Sequence, residues 1–372
     1  MRFLSKILFY LSSFSILPPR RSRQEEIIES TALKHKSSDV FLKNSLCQYD
    51  CHSFYFLKIL WLAFNLFSVV TVLPLLVILL VRFKKVKVDS KSDISLYPKI
   101  PLEIKNKFHP EYIKKPMGYL KKRDLKYIFK ILFKTGWRPY FVFRSVWKIA
   151  VYSELIDAYS PQRIWVTQEM VFESSLLTAY LNDFNVKHVN FMHGDNYFSL
   201  QVAFCTFDEF YVWDENYIRL FQSLQCSVKE YHTFCALDSL ISSCAEKNVV
   251  KYYHQESRNQ KCFNEVLDNL VAFSKTKNCD LVVRLHPLHK KQYEIDILKK
   301  RDIQLESNDS NVIESICESR YVCSEFSSVL YQATLLRKAI VIDNTFPERI
   351  ELIKELSVLF DKKIQIEYLV TS

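Results

Sequence analysis

Two short stretches carry side chains suited to holding an anion. The first, Arg284-Leu285-His286-Pro287, follows the apolar run Leu281-Val282-Val283. It offers a planar guanidinium fork and an imidazole that donates when protonated. The second, Ser324-Glu325-Phe326-Ser327-Ser328, follows Tyr321-Val322-Cys323 and precedes the apolar segment Val329 to Leu336. Two hydroxyls just ahead of a helix, whose first N–H groups are free, favour a negative charge. Further polar groups stand where other apolar runs stop. His193-Gly194-Asp195 follows Val186 to Met192, Gln168-Glu169 follows Ile164-Trp165-Val166, and His254-Gln255-Glu256 follows Val249 to Tyr253. Glu173 and Ser174 lie in the first turn of a helix-like segment, Phe172 to Phe184.

The elements that must position these groups follow one grammar: strand, polar tip, helix, strand. Ile164 to Val166, the helix to Phe184 and the strand Val186 to Met192 form one such unit. Leu281 to Val283 and the stretch from Tyr321 to Ile342 repeat the pattern later in the chain. This is the pattern of open parallel α/β sheets, which bind ligands beyond the carboxyl ends of their strands. Tyr140 to Tyr159, Phe263 to Phe273 and Arg349 to Leu359 have helical apolar spacing. Residues 225 to 247 read as a crossing between two halves, and Ile364 to Val370 as a return toward the first half.

The Arg-x-His-Pro tip followed by a Ser-Ser helix start resembles the donor-binding half of bacterial GT-B glycosyltransferases. The likeness is to capsule and lipopolysaccharide enzymes, including sialyltransferases with an HP motif and a Ser-Ser/Thr motif. The His193-Gly194 tip is similar to the N-terminal half of such enzymes. The resemblance covers roughly residues 160 to 345 and implies an α/β, GT-B fold of two Rossmann-like domains facing a cleft. It implies that Arg284, His286, Pro287, Ser327, Ser328 and Glu325 serve the donor. His286 and the Ser327-Ser328 pair would grip one phosphate from adjacent strand ends. Asp195, with His193 beside it, would face the acceptor as general base, and Glu169 and Glu173 are rivals for that role. The substrate would be a nucleotide sugar, with no cofactor and no metal. The acceptor would be a polysaccharide or a lipid-linked precursor. One departure stands out. The sialyltransferase pattern has an acidic pair followed by glycine, whereas Asp208-Glu209 is followed by Phe210. A CDP-glycerol-type polyol-phosphate transferase shares the two-domain fold and its His-Gly and His-Pro tips. A non-catalytic membrane scaffold would keep the fold without the clustered polar groups.

Composition excludes several classes. A chain of 372 residues, 49% hydrophobic and 25% charged, holds more than one folded domain. Only Gly118, Gly136 and Gly194 are glycines, so neither a GxxxxGK[ST] loop nor a GxGxxG fingerprint exists. A phosphate must then be held by side chains and helix N-termini. The net charge of +10 is spread along the chain and flanks apolar stretches, which points to a membrane surface rather than nucleic acid. Ten cysteines without a paired CxxC framework suit a reduced compartment. The only DxD-like spacing, Glu294-x-Asp296, sits in a charged helical stretch, and no HExxH occurs.

Ile59 to Val81 holds no charged residue over a length sufficient to span a bilayer. Arg82, Lys84, Lys85, Lys87 and Lys91 follow at once, which places the later chain on the cytoplasmic side of an inner membrane. Residues 1–18 read as an interfacial or partly inserted helix. The expected domains are thus a membrane region over 1–83 with a span near 59–81, a basic linker over 84–125, an acceptor domain over 126–240 and a donor domain over 241–372.

Overall fold

A computed structural model describes residues 19–37, 39–54, 58–82, 88–234, 245–255, 259–287, 291–325, 327–361 and 365–370. The expectation for residues 1–18 lies outside them. The chain forms two compact units. One is Met1–His193 with Phe198–Phe234, and the other is Gly194–Tyr197 with Cys235–Ser372.

The first unit begins with α1 (Arg21–Lys34), α2 (Val40–Ser53) and α3 (Lys58–Val81). It continues with β1 (Asp93–Ser95), α4 (Leu102–Phe108), β2 (Glu111–Tyr112), α5 (Leu125–Lys134) and α6 (Pro139–Tyr159). It ends with β3 (Arg163–Thr167), α7 (Ser174–Asn182), β4 (Lys187–Phe191), β5 (Thr206–Val212), α8 (Glu215–Ser223) and β6 (Ser227–Thr233). The strands make one parallel sheet in the order β2-β1-β3-β4-β5-β6. The centre of this sheet is covered on both faces, so β5 is buried along its whole length. Pro139 opens α6, where its fixed φ suits the first turn. Ser160, left-handed at φ 46°, closes it ahead of Pro161.

The second unit holds β7 (Val249–His254), α9 (Gln260–Lys277), β8 (Asp280–Leu285), α10 (Gln292–Lys300), β9 (Gln304–Leu305) and α11 (Val312–Glu318). β10 (Tyr321–Ser324), α12 (Ser328–Leu335), β11 (Ala339–Ile342), α13 (Pro347–Leu356) and β12 (Ile366–Tyr368) follow. Its parallel sheet has the order β12-β11-β10-β7-β8-β9. Val250, Tyr252, Val283, Leu285, Cys323 and Val341 share a core with Phe263, Leu267 and Leu270 of α9.

Both sheets are doubly wound. In the first, β2 lies on one side of β1 and β3 on the other. In the second, the chain moves outward from β7 to β8 and β9, then crosses back to place β10 on the far side of β7. Each reversal opens a crevice at the strand ends, between β1 and β3 in one unit and between β7 and β10 in the other.

Several expectations are corrected. Residues 84–125 are not simply a linker, because they supply β1, α4 and β2 to the first unit. Their strands are short and separated by a stretch holding Pro98, Pro101 and Pro110, which hides them from periodicity. The expected crossing at 225–247 contains β6, paired with β5. The C-terminal strand β12 pairs with β11 in the second sheet instead of returning to the first half.

The region expected to stand apart at 1–83 is built into the first unit over its described residues. Asn44 Nδ2 donates to Thr206 Oγ1 at 3.1 Å and to Ser227 Oγ at 3.0 Å. Gln48 Nε2 donates to the carbonyls of Met170 and Gln201, both at 2.9 Å. Gln24 Oε1 accepts from Leu200 N at 2.9 Å. These are buried polar groups, which require partners, and the sheet domain provides them.

α3 is the one described helix long and apolar enough to cross a membrane. It packs along α6, with Phe64, Ser68, Val72 and Leu79 buried. Asn65 Oδ1 accepts from the Tyr49 hydroxyl at 3.0 Å, and the Leu79 carbonyl accepts from Leu120 N at 3.0 Å. The helix is therefore bonded to the same unit near both ends.

Candidate functional site

In the first unit the crevice between β1 and β3 is a cavity of about 250 Å³. Its lining includes Tyr97, just beyond β1, and Gln168 and Glu169, just beyond β3. Gln168 has φ 50°, a left-handed conformation uncommon outside glycine, which turns the chain sharply at the strand end. Lys115, Arg144 and Lys148 line the same cavity. Arg144 and Lys148 are four residues apart on α6 and so project from one face of it.

The charges are tightly paired. Glu169 is buried and accepts from Lys148 and from the hydroxyl of Tyr152, and Lys115 Nζ lies 3.6 Å from it. Glu173 has no exposed surface and accepts from Arg144 Nε at 2.6 Å. Burial works to raise the Glu173 pKa, but Arg144 and then Lys148 overcome it and hold the carboxyl below its usual range. Burial pushes the Lys148 ammonium well below its usual range, and Lys115 pushes it further. Lys115 is lowered mainly by burial as well.

Both glutamates, expected as rival bases, are thus held by cations. A carboxylate kept ionised by a guanidinium is a weak proton acceptor, so Glu173 acts as counter-ion to Arg144. Arg144, Lys148, Lys115 and Tyr97 were not singled out from the sequence. Two cations spaced by four within the largely apolar first half of the helix were the available signal.

His193, beyond β4, is exposed, and its Nε2 lies 2.6 Å from the Tyr97 hydroxyl. Burial lowers its pKa, and Lys99 adds to the effect. The four residues that follow group with the second unit, so Asp195 does not belong to the first half as expected. Tyr197 explains this, since it pairs with Ser357 in an antiparallel bridge. The Asp195 carboxylate is bonded to the Tyr197 hydroxyl, whose pKa rises through burial first and that charge second.

In the second unit His286 is half-buried beyond β8, and Pro287 is exposed. His254 closes β7, buried, with Nε2 3.2 Å from Glu294 Oε1. Beyond β10, Ser324 is buried and donates to the Tyr253 carbonyl at 2.7 Å. Glu325 comes next and is half-buried. Ser327 caps α12, its hydroxyl accepting from Val329 N at 3.3 Å, and Ser328 is the first helical residue. His286 and Ser327 do not stand on adjacent strand ends. β7 lies between β8 and β10, which separates their strands by two spacings, about 10 Å.

Arg284 is directed elsewhere. Its Nη1 donates to Glu306 Oε2 at 3.1 Å and to Ser310 Oγ at 2.9 Å, while Nη2 donates to the Ser310 carbonyl at 2.7 Å. Glu306 also accepts from the buried Lys251 at 2.7 Å and from Ser315 at 2.6 Å. Burial opposes ionisation of Glu306, and the bonds from Lys251 and Ser315 reverse that and lower its pKa. This network secures β7, β8 and α11 to one another. The residues at the second crevice, between β7 and β10, are therefore His254 and Ser324 to Ser328 excluding Phe326, which is outside the described residues, with His286 one strand further along.

Among the described residues no group of three His, Cys, Asp or Glu side chains is arranged to hold a metal ion.

No protein-family model matches the sequence, and no curated protein matches it. Solved structures similar to it include a UDP-N-acetylglucosamine 2-epimerase from Rickettsia bellii, at 13% identity and TM-score 0.37, over 53% of this chain and 60% of that one. The wall teichoic acid polymerase TagF matches at 14% identity and TM-score 0.37, over 57% of this chain and 62% of that one. The glycotransferase of kitacinnamycin matches at 8% identity and TM-score 0.40, over 71% and 74%. The chain thus spans less than two thirds of the length of the first two. With TM-scores of 0.40 or lower, these likenesses add nothing to the sheet orders and registers given above.

Proposed function

We propose that this protein is a membrane-attached glycosyltransferase of the GT-B kind. It moves a sugar from a nucleotide-sugar donor to a surface polysaccharide acceptor, of capsule or lipopolysaccharide, without a metal. The observation that most supports this is the pair of doubly wound parallel sheets, each with polar side chains gathered at its reversal crevice. Such crevices are where open α/β sheets take ligands. In this reading the second unit holds the donor through His286, Ser327 and Ser328, with Glu325 and Pro287 shaping the rim. His254 joins them because it stands at the crevice itself. Donors aimed at the leaving phosphate stabilise the charge that grows as the glycosidic bond breaks. The acceptor enters the crevice of the first unit. His193 is the group proposed there to receive its proton, since Glu169 and Glu173 are already paired with cations and Asp195 groups with the second unit.

The polyol-phosphate transferase reading is kept because the three cations of the first crevice also suit an acceptor that carries phosphate. Purified protein incubated with a panel of nucleotide sugars and CDP-glycerol, together with a polysaccharide or lipid-linked acceptor, decides between them. Release of nucleotide with a glycosylated product supports the main reading, and transfer of glycerol phosphate supports the second. A folded protein that neither binds nor turns over any donor would overturn both.

The membrane attachment is assigned to α3. Ile59, Leu62, Leu66, Val70, Leu73, Val77 and Val81 make an exposed apolar stripe, widened by Phe67, Val69 and Ile78. The apolar arc is about half the helix circumference, broader than the narrow seam that a partner helix covers. Ser68 and Thr71 bond to carbonyls of their own helix, so the arc presents no polar group needing water. Lys58 and Arg82 flank it and suit anionic headgroups. Because residues before and after α3 pack into one unit, the helix is proposed to lie along the cytoplasmic surface of the inner membrane rather than through it.

A further inference from the structure

We infer that the crevice between β1 and β3 receives an anionic group, a carboxylate or phosphate borne by the acceptor. That an acceptor bears the anion rests on the transferase reading, whereas the anion preference rests on the crevice alone. Lys115, Arg144 and Lys148 bring three cations to it, and the carboxylates in contact with them, Glu169 and Glu173, number two. Arg144 is paired with Glu173 and Lys148 with Glu169, which leaves Lys115 sharing a carboxylate that is already taken. Lys115 is also the most accessible of the three, with 43% of its side chain exposed.

A surplus ammonium in a half-buried crevice is unfavourable without a counter-charge, because burial and the neighbouring lysine both oppose its ionised form. An anion entering beside Lys115 balances the cluster and favours the ionised form of both lysines. The cavity, about 250 Å³, is smaller than the pockets of about 300 Å³ and upward that enclose larger ligands. One charged sugar unit suits a space of this size.

The test uses the full chain, with glucuronate, glucose 6-phosphate and glucose as probes. Thermal shift and calorimetric titration are run on wild type, Lys115→Gln and Lys115→Met. Both charged sugars are expected to raise the melting temperature and glucose to leave it unchanged. Either substitution should weaken binding of the charged sugars by about tenfold or more, the size expected for one charge-assisted contact. Equal binding of glucose, or unchanged binding of the charged sugars in both folded variants, would overturn the inference. Nucleotide titration of the same samples keeps the two readings apart. Charged-sugar binding without nucleotide binding removes the transferase reading and leaves the anion site standing.

Discussion

Tyr97 and His193 meet at 2.6 Å, hydroxyl to Nε2, although β3 lies between the strands that carry them. The contact ties the end of β1 to the end of β4 and holds the imidazole against Tyr97, which lines the first crevice. Tyr97→Phe removes the bond while keeping the ring. Turnover is expected to fall several-fold, in line with loss of about 1 kcal/mol of positioning. Nucleotide affinity should not change. His193 ring resonances should broaden or shift by NMR. Unaltered turnover would remove His193 from the proposed machinery.

The separation of His286 from Ser327 by an intervening strand alters what a double-mutant cycle should show. Two groups on one phosphate are strongly coupled, whereas groups about 7–10 Å apart or more are nearly additive. His286→Ala is expected to lower turnover by about 10² or more if it faces the developing anion. Combined with Ser327→Ala, the effects should add to within about 0.5 kcal/mol. Clear non-additivity would place both on one group after all. For Ser327→Ala, loss of the α12 cap alone costs about 1 kcal/mol of stability, so unfolding is measured in parallel.

His188 gives the first unit an acid sensitivity. The ring is fully buried in β4, bonded through Nδ1 to Thr178 Oγ1 at 2.8 Å. Burial lowers its pKa to about 3. The unfolded value is about 6.5, so the unfolded chain binds the extra proton first. Stability is intact above about pH 6.5 and is lost as pH falls from there toward the folded value, by about 1.4 kcal/mol per unit from this group. His188→Asn, which keeps a polar partner for Thr178 Oγ1 without a titrating ring, should flatten the fall in urea midpoint between pH 7 and pH 5. Parallel pH profiles for the two proteins would show that His188 does not remain neutral.

The position of α3 at the membrane is checked by vesicle sedimentation and by labelling. The full chain should sediment with vesicles containing an anionic phospholipid, and Leu66→Glu combined with Leu73→Glu should stay in the supernatant. In intact cells, a cysteine at the exposed Ser37 and one at the exposed Glu103 should both resist an impermeant thiol reagent. Labelling at position 37 alone would mean that α3 crosses the bilayer.

The sheet strands with strong apolar runs were legible in the sequence. Leu281 to Val283 and Ala339 to Ile342 fall on strands, Val186 to Met192 brackets β4 at Lys187–Phe191, and the polar tips fall at strand ends. β1, β2, β9 and β12 were not legible, because strands of two or three residues carry too little periodicity to register. The first crevice was half legible. Glu169 and Glu173 were found as polar groups at a strand end and a helix start, but their partners on α6 were not. Arg144 and Lys148 sit in a helix whose apolar pattern reads as core, and only the fold shows that one face of it borders a cavity. Arg284 was misread for a related reason. A guanidinium beside a His-Pro tip looks the same in sequence whether it faces a ligand or an internal carboxylate such as Glu306.

The close passage at Gly118 bears on how the chain can be shortened. Its φ is 86°, and a side chain there would meet Val151 N at 2.6 Å. The next two residues hold α6 and α3 together, Tyr119 N donating to the Ala150 carbonyl and Leu120 N to the Leu79 carbonyl. Trimming the protein at Val81 to obtain a soluble remainder would strip this cover from α6 and remove the bonds from Asn44 and Gln48. The fragment would expose the flank of the same helix that carries Arg144 and Lys148. For expression and crystallisation, polar substitutions along the outer stripe of α3 are the gentler route, because they change what the surface presents and leave the inner seam whole.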